Sequence, residues 1–415
     1  MSQDAGTVES PSEALGVLSG FRRDFYDCLT GRADTLFELT DAVACAGSPV
    51  TDLARLCLED EHQRGHGALY DALNCGTVNT GRLRALVCAG PLPKVLGPDG
   101  RERIVLAVDV SNWLRPDAAT SPQRAFCHTY ARGAGQAQMI PGWPYSFVCA
   151  LETGASSWTA LLDVARISPG DDATAVTAAQ LRAVIDELTR AGHHRAGDPE
   201  VLVVLDAGYD VARLGWLLDD LPVTLVGRLR SDRVLYARAG ARRGPTKGRG
   251  PRHGARLVLA DPATHPVPTA ATGNDTARYG RTEAVAFARM HPKLESRGGW
   301  ADHPGALPII EGTVVGLAVE RLPGDRAPRP VWLWTSKPVP DNGAEVDHWW
   351  SMFIRRFDLE RTFEVPEAGP GLGQGPAAVA GSGRPVDLAD HRRPHPVAPG
   401  QATGRRSPAA LAETA

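Results

Sequence analysis

Lysine is nearly absent: it stands only at Lys94, Lys247, Lys293 and Lys337, so arginine carries almost all the positive charge. With abundant alanine, glycine and proline, this reflects a GC-rich coding sequence rather than a function. The net charge of −3 argues against a chain that holds nucleic acid by overall basicity, although a local patch can still do so. The seven cysteines, at 28, 45, 57, 75, 88, 127 and 149, never fall at C-x-x-C spacing. That argues against a zinc ribbon or a disulfide framework and fits a reducing cytoplasm. There is no signal peptide and no apolar run of about 20 residues, so a soluble, cytoplasmic protein is expected. Residues 364–415 contain no Phe, Trp, Tyr, Ile, Met or Cys, and hold eight Pro and eight Gly in 52 positions. Such a segment buries too little apolar surface to offset its ordering entropy, so disorder is expected there.

The remainder is rich enough to fold. The chain has 415 residues, 43% of them hydrophobic, enough for two or three domains. Residues 12–90 carry apolar positions at three- and four-residue steps and read as helices. PLPKVLGPDGRER (91–103) is punctuated by Pro and Gly and reads as a linker. IVLAVDV (104–110), EVLVVLDAG (200–208) and VTLVGRL (223–229) are continuous apolar runs, as in strands buried on both faces. SFVCALE (146–152) is a further strand candidate. TAAQLRAVIDELTRAG (177–192) and VARLGWLLDDL (211–221) are amphipathic helices between the runs. Alternating strands and helices predict an α/β layered domain. From 231 to 340 the pattern turns to strands without intervening helices, which reads as a β-rich insertion. EVDHWWSMFIRRFDLERTF (345–363) returns to helix.

Three carboxylates are candidates for chemistry. Asp109 ends IVLAVD and Asp206 ends VLVVLD, and carboxylates at the carboxyl ends of central strands point into the crevice where ligands bind. Each could equally start a turn or cap a helix. Glu360 shares a helix face with Phe353 and Arg356 at steps of three and four. An ordinary Arg356–Glu360 surface ion pair explains that spacing as well. Together the three suit two hard divalent ions, which need oxygen ligands and can drive phosphodiester cleavage. GPTKGRG is not a phosphate-binding P-loop, because no Ser or Thr follows the lysine and the spacing is wrong.

These residues resemble the DDE transposases of bacterial insertion sequences, which have a ribonuclease H-like core. The resemblance runs from roughly 20 to 363. It is strongest in VLAVDVSNWLRPDAATSPQRAFCHTYARG, QMIPGWPYSFVCALE, VVLDAGYD and RRFDLERTF. One branch of that family carries a helical signature of Tyr, two residues, Arg, three residues, Glu, six residues, Lys. Here those positions are Phe353, Arg356, Glu360 and Glu367. Phe for Tyr is mild, whereas Glu for Lys reverses charge where DNA phosphate is expected.

The resemblance implies an α/β fold: a ribonuclease H-like core interrupted by a β-rich insertion and preceded by an α-helical N-terminal domain. The divisions expected are 1–98 helical and DNA-binding, 99–230 the first part of the core, 231–340 the insertion, 341–363 the Glu-bearing helix and 364–415 the tail. It implies Asp109, Asp206 and Glu360 as catalytic and metal-binding residues, with Mg²⁺ as cofactor and Mn²⁺ able to substitute. Arg356 would position phosphate beside Phe353. Arg242, Arg243, Lys247, Arg249 and Arg252 would follow a DNA backbone or simply be solvated. Trp332 and Trp334 would stack on an unpaired base or pack in the core. His128 and Tyr130 are site residues or core polar groups. Partners would be terminal inverted repeats, target DNA and a second protomer. The alternative is a decayed transposase that only binds DNA. A one-nucleotide shift at codon 364 permits Arg-Phe-Leu-Lys-Gln-Ala-Leu, which continues the helix and puts lysine at position 367. The tail reads as the product of a frameshift or as a natural Pro/Gly-rich tail.

Overall fold

The computed structural model describes residues 10–47, 50, 53–130, 137–152, 158–240, 250–322, 327–339 and 343–359. Glu360, Glu367, the Pro/Gly-rich tail, Arg242, Arg243, Lys247 and Arg249 lie outside the described residues, as does the side chain of Tyr130. The first 90 residues supply α1 (Pro11–Tyr26), α2 (Ala33–Cys45), α3 (Leu53–Leu56), α4 (His66–Cys75) and α5 (Thr80–Ala89). A short antiparallel pair, β1 (Leu29–Gly31) with β2 (Thr77–Val78), ties α2 and α5 together. Asn79 opens α5 by accepting the Arg82 amide proton at 3.0 Å. The expected linker forms the hairpin β3 (Val95–Leu96) and β4 (Glu102–Arg103).

The rest builds one 12-stranded mixed sheet. Its centre is parallel: β5 (Val105–Leu114), β9 (Val201–Leu205) and β10 (Val223–Leu229), with β9 in the middle. At one edge β7 (Ala137–Leu151) runs antiparallel to β5, and β6 (Ala125–Tyr130) and β8 (Thr159–Arg166) both pair with β7. At the other side β16 (Val331–Thr335) runs antiparallel to β10. Beyond it come β15 (Gly312–Val319), β14 (Gly280–Pro292), β11 (Val234–Arg238) and β12 (His253–Val258), with β13 (Ala270–Thr276) also on β14. The β-rich stretch 231–340 therefore extends the central sheet rather than folding apart from it. Its longest strand bends at a bulge between Phe287 and Met290, where Arg289 takes a left-handed φ of 58°.

Two apolar layers sandwich the central strands, so both side-chain sets of each strand are buried. Leu106, Val108, Val203 and Leu205 meet Leu181, Val184, Ile185 and Leu188 of α6 (Ala173–Arg190). Those four helix positions recur at steps of three and four, which is why α6 lies along the sheet. α7 (Val211–Leu217) covers the same face. Val105, Ala107, Leu202 and Val204 meet Val346, Trp349, Trp350 and Phe353 of α8 (Ala344–Arg355) on the opposite face.

Polar contacts fix α8 in place. Glu345 pairs with Arg103 at 2.6 Å. Asp347 accepts from Thr272 Oγ1 at 2.6 Å, Asn274 Nδ2 at 2.8 Å and Trp350 Nε1 at 2.8 Å. His348 is buried beside Arg103 and Asp99. Burial, then the Arg103 charge, lowers its pKa to about 4 from an ordinary 6.5. The folded protein thus holds His348 neutral where the unfolded chain would protonate it. Stability from this group is complete above pH 6.5 and is lost as pH falls through 4, by up to about 3 kcal/mol. Urea melts from pH 7 to 4 should show that loss, and His348→Gln should flatten it. An unchanged slope in the variant would rule His348 out as the acid-sensitive anchor.

Candidate active site

Asp109 and Asp206 become neighbours because β5 and β9 run parallel and Val108 lies beside Leu205. Neither aspartate caps a helix. β5 continues to Leu114, and Asp210 is the residue that caps α7, accepting the Arg213 amide proton at 3.1 Å. Asp109 Oδ1 accepts the Val110 amide proton at 2.8 Å. Its Oδ2 accepts from Arg356 Nη1 at 2.8 Å. The other guanidinium nitrogen, Nη2, stands 3.7 Å from Asp206 Oδ1, and Arg228 Nη1 approaches the same oxygen at 3.8 Å.

Arg356 is fully buried, in the turn just after α8. Phe357 and Phe353 flank its guanidinium, with ring centres at 4.9 and 5.8 Å. Cation–π contact and two carboxylates offset its desolvation. A phosphate contact by Arg356 would first have to displace Asp109. Phe353 is core, with about 1% of its surface exposed. Neither side chain reaches the surface, so the DNA-contact role that the resemblance implies for them has no exposed group to serve it in this arrangement. Tyr209 sits next to the aspartates, and burial followed by the Asp109 charge raises the pKa of its hydroxyl.

The pair lies at the head of a cleft of about 1570 Å³ lined on one side by the α6 N-terminus and on the other by β14–β16. Arg228, Arg230, Arg233 and Arg329 line it, together with His128 and His265. Trp332 also lines the cleft, although nearly buried; it meets His265 edge-on at 5.3 Å. Trp334 belongs to the core, donating its indole N–H to Met290 O at 3.4 Å. It packs so closely on Gly312 that a Cβ there would lie 2.3 Å from its ring. Arg252 donates to the Leu307 carbonyl.

Sequence reasoning passed over Arg228, Arg230, Arg233, Arg329 and Tyr209. Arg228 had a signal: it closes the buried run VTLVGRL, at the same strand end as the aspartates. Arg329 had none, because the pairing of β16 with β10 brings it there. Among the described residues, no group of three or more His, Cys, Asp or Glu side chains could hold a metal ion. Asp109 and Asp206 supply two carboxylates that converge on one buried cationic group.

Removing Arg356 should expose the strain of that convergence. Arg356→Met leaves two partly buried carboxylates without their shared cation and should cost about 3 kcal/mol or more in urea unfolding at pH 7. Adding Asp109→Asn should recover part of the loss. Independent, additive effects would show that the two residues are not coupled.

A family model described as DDE superfamily endonuclease matches residues 24–290. The match includes both aspartates and ends before α8. No curated protein matches the chain.

Proposed function

Because the chain belongs to the DDE superfamily of endonucleases, we propose that it is a transposase, which cuts DNA at the ends of its element and joins the freed 3′ hydroxyl to a target. The observation that carries this reading is the convergence of Asp109 and Asp206 on one guanidinium at the head of an arginine-lined cleft. The order β5, β7, β8, β9 fits a ribonuclease H-like core whose last part is α8. The helices of residues 11–89 fit a DNA-recognition domain.

The donor set fits Mg²⁺, with Mn²⁺ as a substitute, since magnesium is commonly held by one or two carboxylates plus substrate phosphate. Asp109 and Asp206 would hold the ions, with Glu360 as the third carboxylate. When bound, such ions activate an attacking water and stabilise the leaving oxygen. The chain's own residues do the rest. Arg356 sets the spacing of the two carboxylates. Arg228 and the other cleft arginines draw in phosphate, with a strong salt dependence. Partners in this reading are terminal inverted repeats, target DNA and a second protomer.

A second reading, a decayed transposase that only occupies DNA ends, is favoured by Glu367 standing where the signature has lysine. A frameshift at codon 364 accounts for that residue and for the tail composition.

Supercoiled plasmid carrying the element's ends separates these readings. The full chain should nick it with Mg²⁺ and not with EDTA. Asp109→Asn should lower the rate at least about a hundredfold, the scale of removing one charge-stabilising group, while gel-shift binding persists. Equal cleavage by parent and Asp109→Asn would refute the site. Binding without cleavage, followed by cleavage once a nucleotide is deleted at codon 364, would establish the second reading.

A further inference from the structure

The sheet face that carries Asp109 continues outward as an aromatic and arginine surface. Along β5, Asp109, Ser111 and Trp113 share one face, because strand side chains alternate. Cross-strand pairing sets Phe147 opposite Asp109, Tyr145 opposite Ser111 and Trp143 opposite Trp113. On the next strand Phe126 lies opposite Pro141, one alternation beyond Trp143. The rings of Trp113 and Trp143 are 5.4 Å apart, and the Arg115 guanidinium lies 5.8 Å from the Trp113 ring. Arg166 sits opposite Tyr145 from β8. Unlike the buried rings around α8, this end of the face is open: Trp113 is 54% and Phe126 68% exposed.

Exposed aromatic rings on a sheet face, rimmed by arginine, suit unpaired bases. Every base presents a π face to stack, and arginine adds phosphate and cation–π contacts. A duplex hides its base faces in its own stack. A purely apolar protein partner would make no use of the charge of Arg115 and Arg166, the second of which donates to exposed Gln123 Oε1 at 2.5 Å. Arg115 pairs with exposed Asp117 at 3.0 Å, and such an exposed pair is exchanged for phosphate at little cost. From Trp113 to Asp109 is four strand residues, on the order of 13 Å, which a few nucleotides span.

We infer that Trp113, Trp143 and Phe126, with Arg115 and Arg166, form a binding platform for single-stranded DNA that holds an unpaired strand alongside the strand carrying Asp109. The platform rests on the endonuclease reading for its substrate class and adds a strand-binding surface separate from the arginine-lined cleft.

Fluorescence anisotropy of a labelled oligothymidine and of a duplex of equal length tests this with the full chain in EDTA, where no cleavage is read. The single strand should bind more tightly. Trp113→Ala and Phe126→Ala should each weaken it by about tenfold, as expected for losing one stacked base, and Trp113→Phe should keep most of the affinity. Arg115→Gln should flatten the salt dependence. Both aromatic residues are exposed, so the variants should keep the parent melting temperature. Trp216→Ala, at another exposed tryptophan, should change nothing. Unchanged single-strand affinity in Trp113→Ala and Phe126→Ala overturns the platform. So does a shift from dimer to monomer in sedimentation with affinity retained, which would make the face an interface between copies. Asp109→Asn separates the two claims: if it still cleaves plasmid, the active-site reading fails, while the anisotropy result stands by itself.

Discussion

A buried guanidinium between two carboxylates is the contact on which the rest of the molecule turns. Arg356 has no route to water, and a buried charge is tolerated only when paired. Its partners come from β5 and β9, while Arg356 itself follows α8, more than a hundred residues later in the chain. The pairing therefore holds only if α8 is firmly seated on its side of the sheet. Glu345 and Asp347 give that seat. One reaches Arg103 at the entrance to β5; the other accepts hydrogen bonds from Thr272 and Asn274 on β13. The β-rich stretch thus has a structural task at the site: through β13 it clamps the helix that delivers the arginine.

This explains which parts were legible in the sequence. IVLAVD, VLVVLD and VTLVGRL stand out because strands buried on both faces cannot afford a polar residue until they end, so an aspartate or arginine closing such a run marks the sheet's carboxyl edge. Local periodicity likewise gave α6 and α8. Other features depend on contacts between distant segments. β6 and β8 are mixed in composition, because each lies at the sheet edge with one face open to solvent, and the sequence reading passed over them. The continuity of residues 231–340 with the central sheet rests on β16 pairing with β10, a register that neither segment encodes alone.

The helix signature shows the same limit. Spacing put Phe353 and Arg356 on one face, and spacing alone suited an ordinary surface helix with an Arg356–Glu360 ion pair. Packing turned that face inward: Phe353 joins Trp349 and Val346 in the core, and Arg356 follows it down to the aspartates. A periodicity of 3.6 tells which residues lie together and leaves open whether they look at solvent or at the sheet.

The central sheet is thereby used asymmetrically. On the α6 side, the carboxyl edge opens into the cleft bounded by Arg228, Arg230 and Arg329. On the α8 side, Arg356 closes the space above Asp109, and beyond it the face opens again at Trp113 and Phe126. Asp109 belongs to both, because its strand runs on past the edge as part of the projecting β5–β7 pair while its carboxylate stays at the strand-end level of Asp206. A strand that stopped at Asp109 would provide the carboxylate and the cleft but no aromatic face. The five residues from Val110 to Leu114 are what link the carboxylate pair to a second surface, and their pairing with β7 keeps that surface rigid relative to the site.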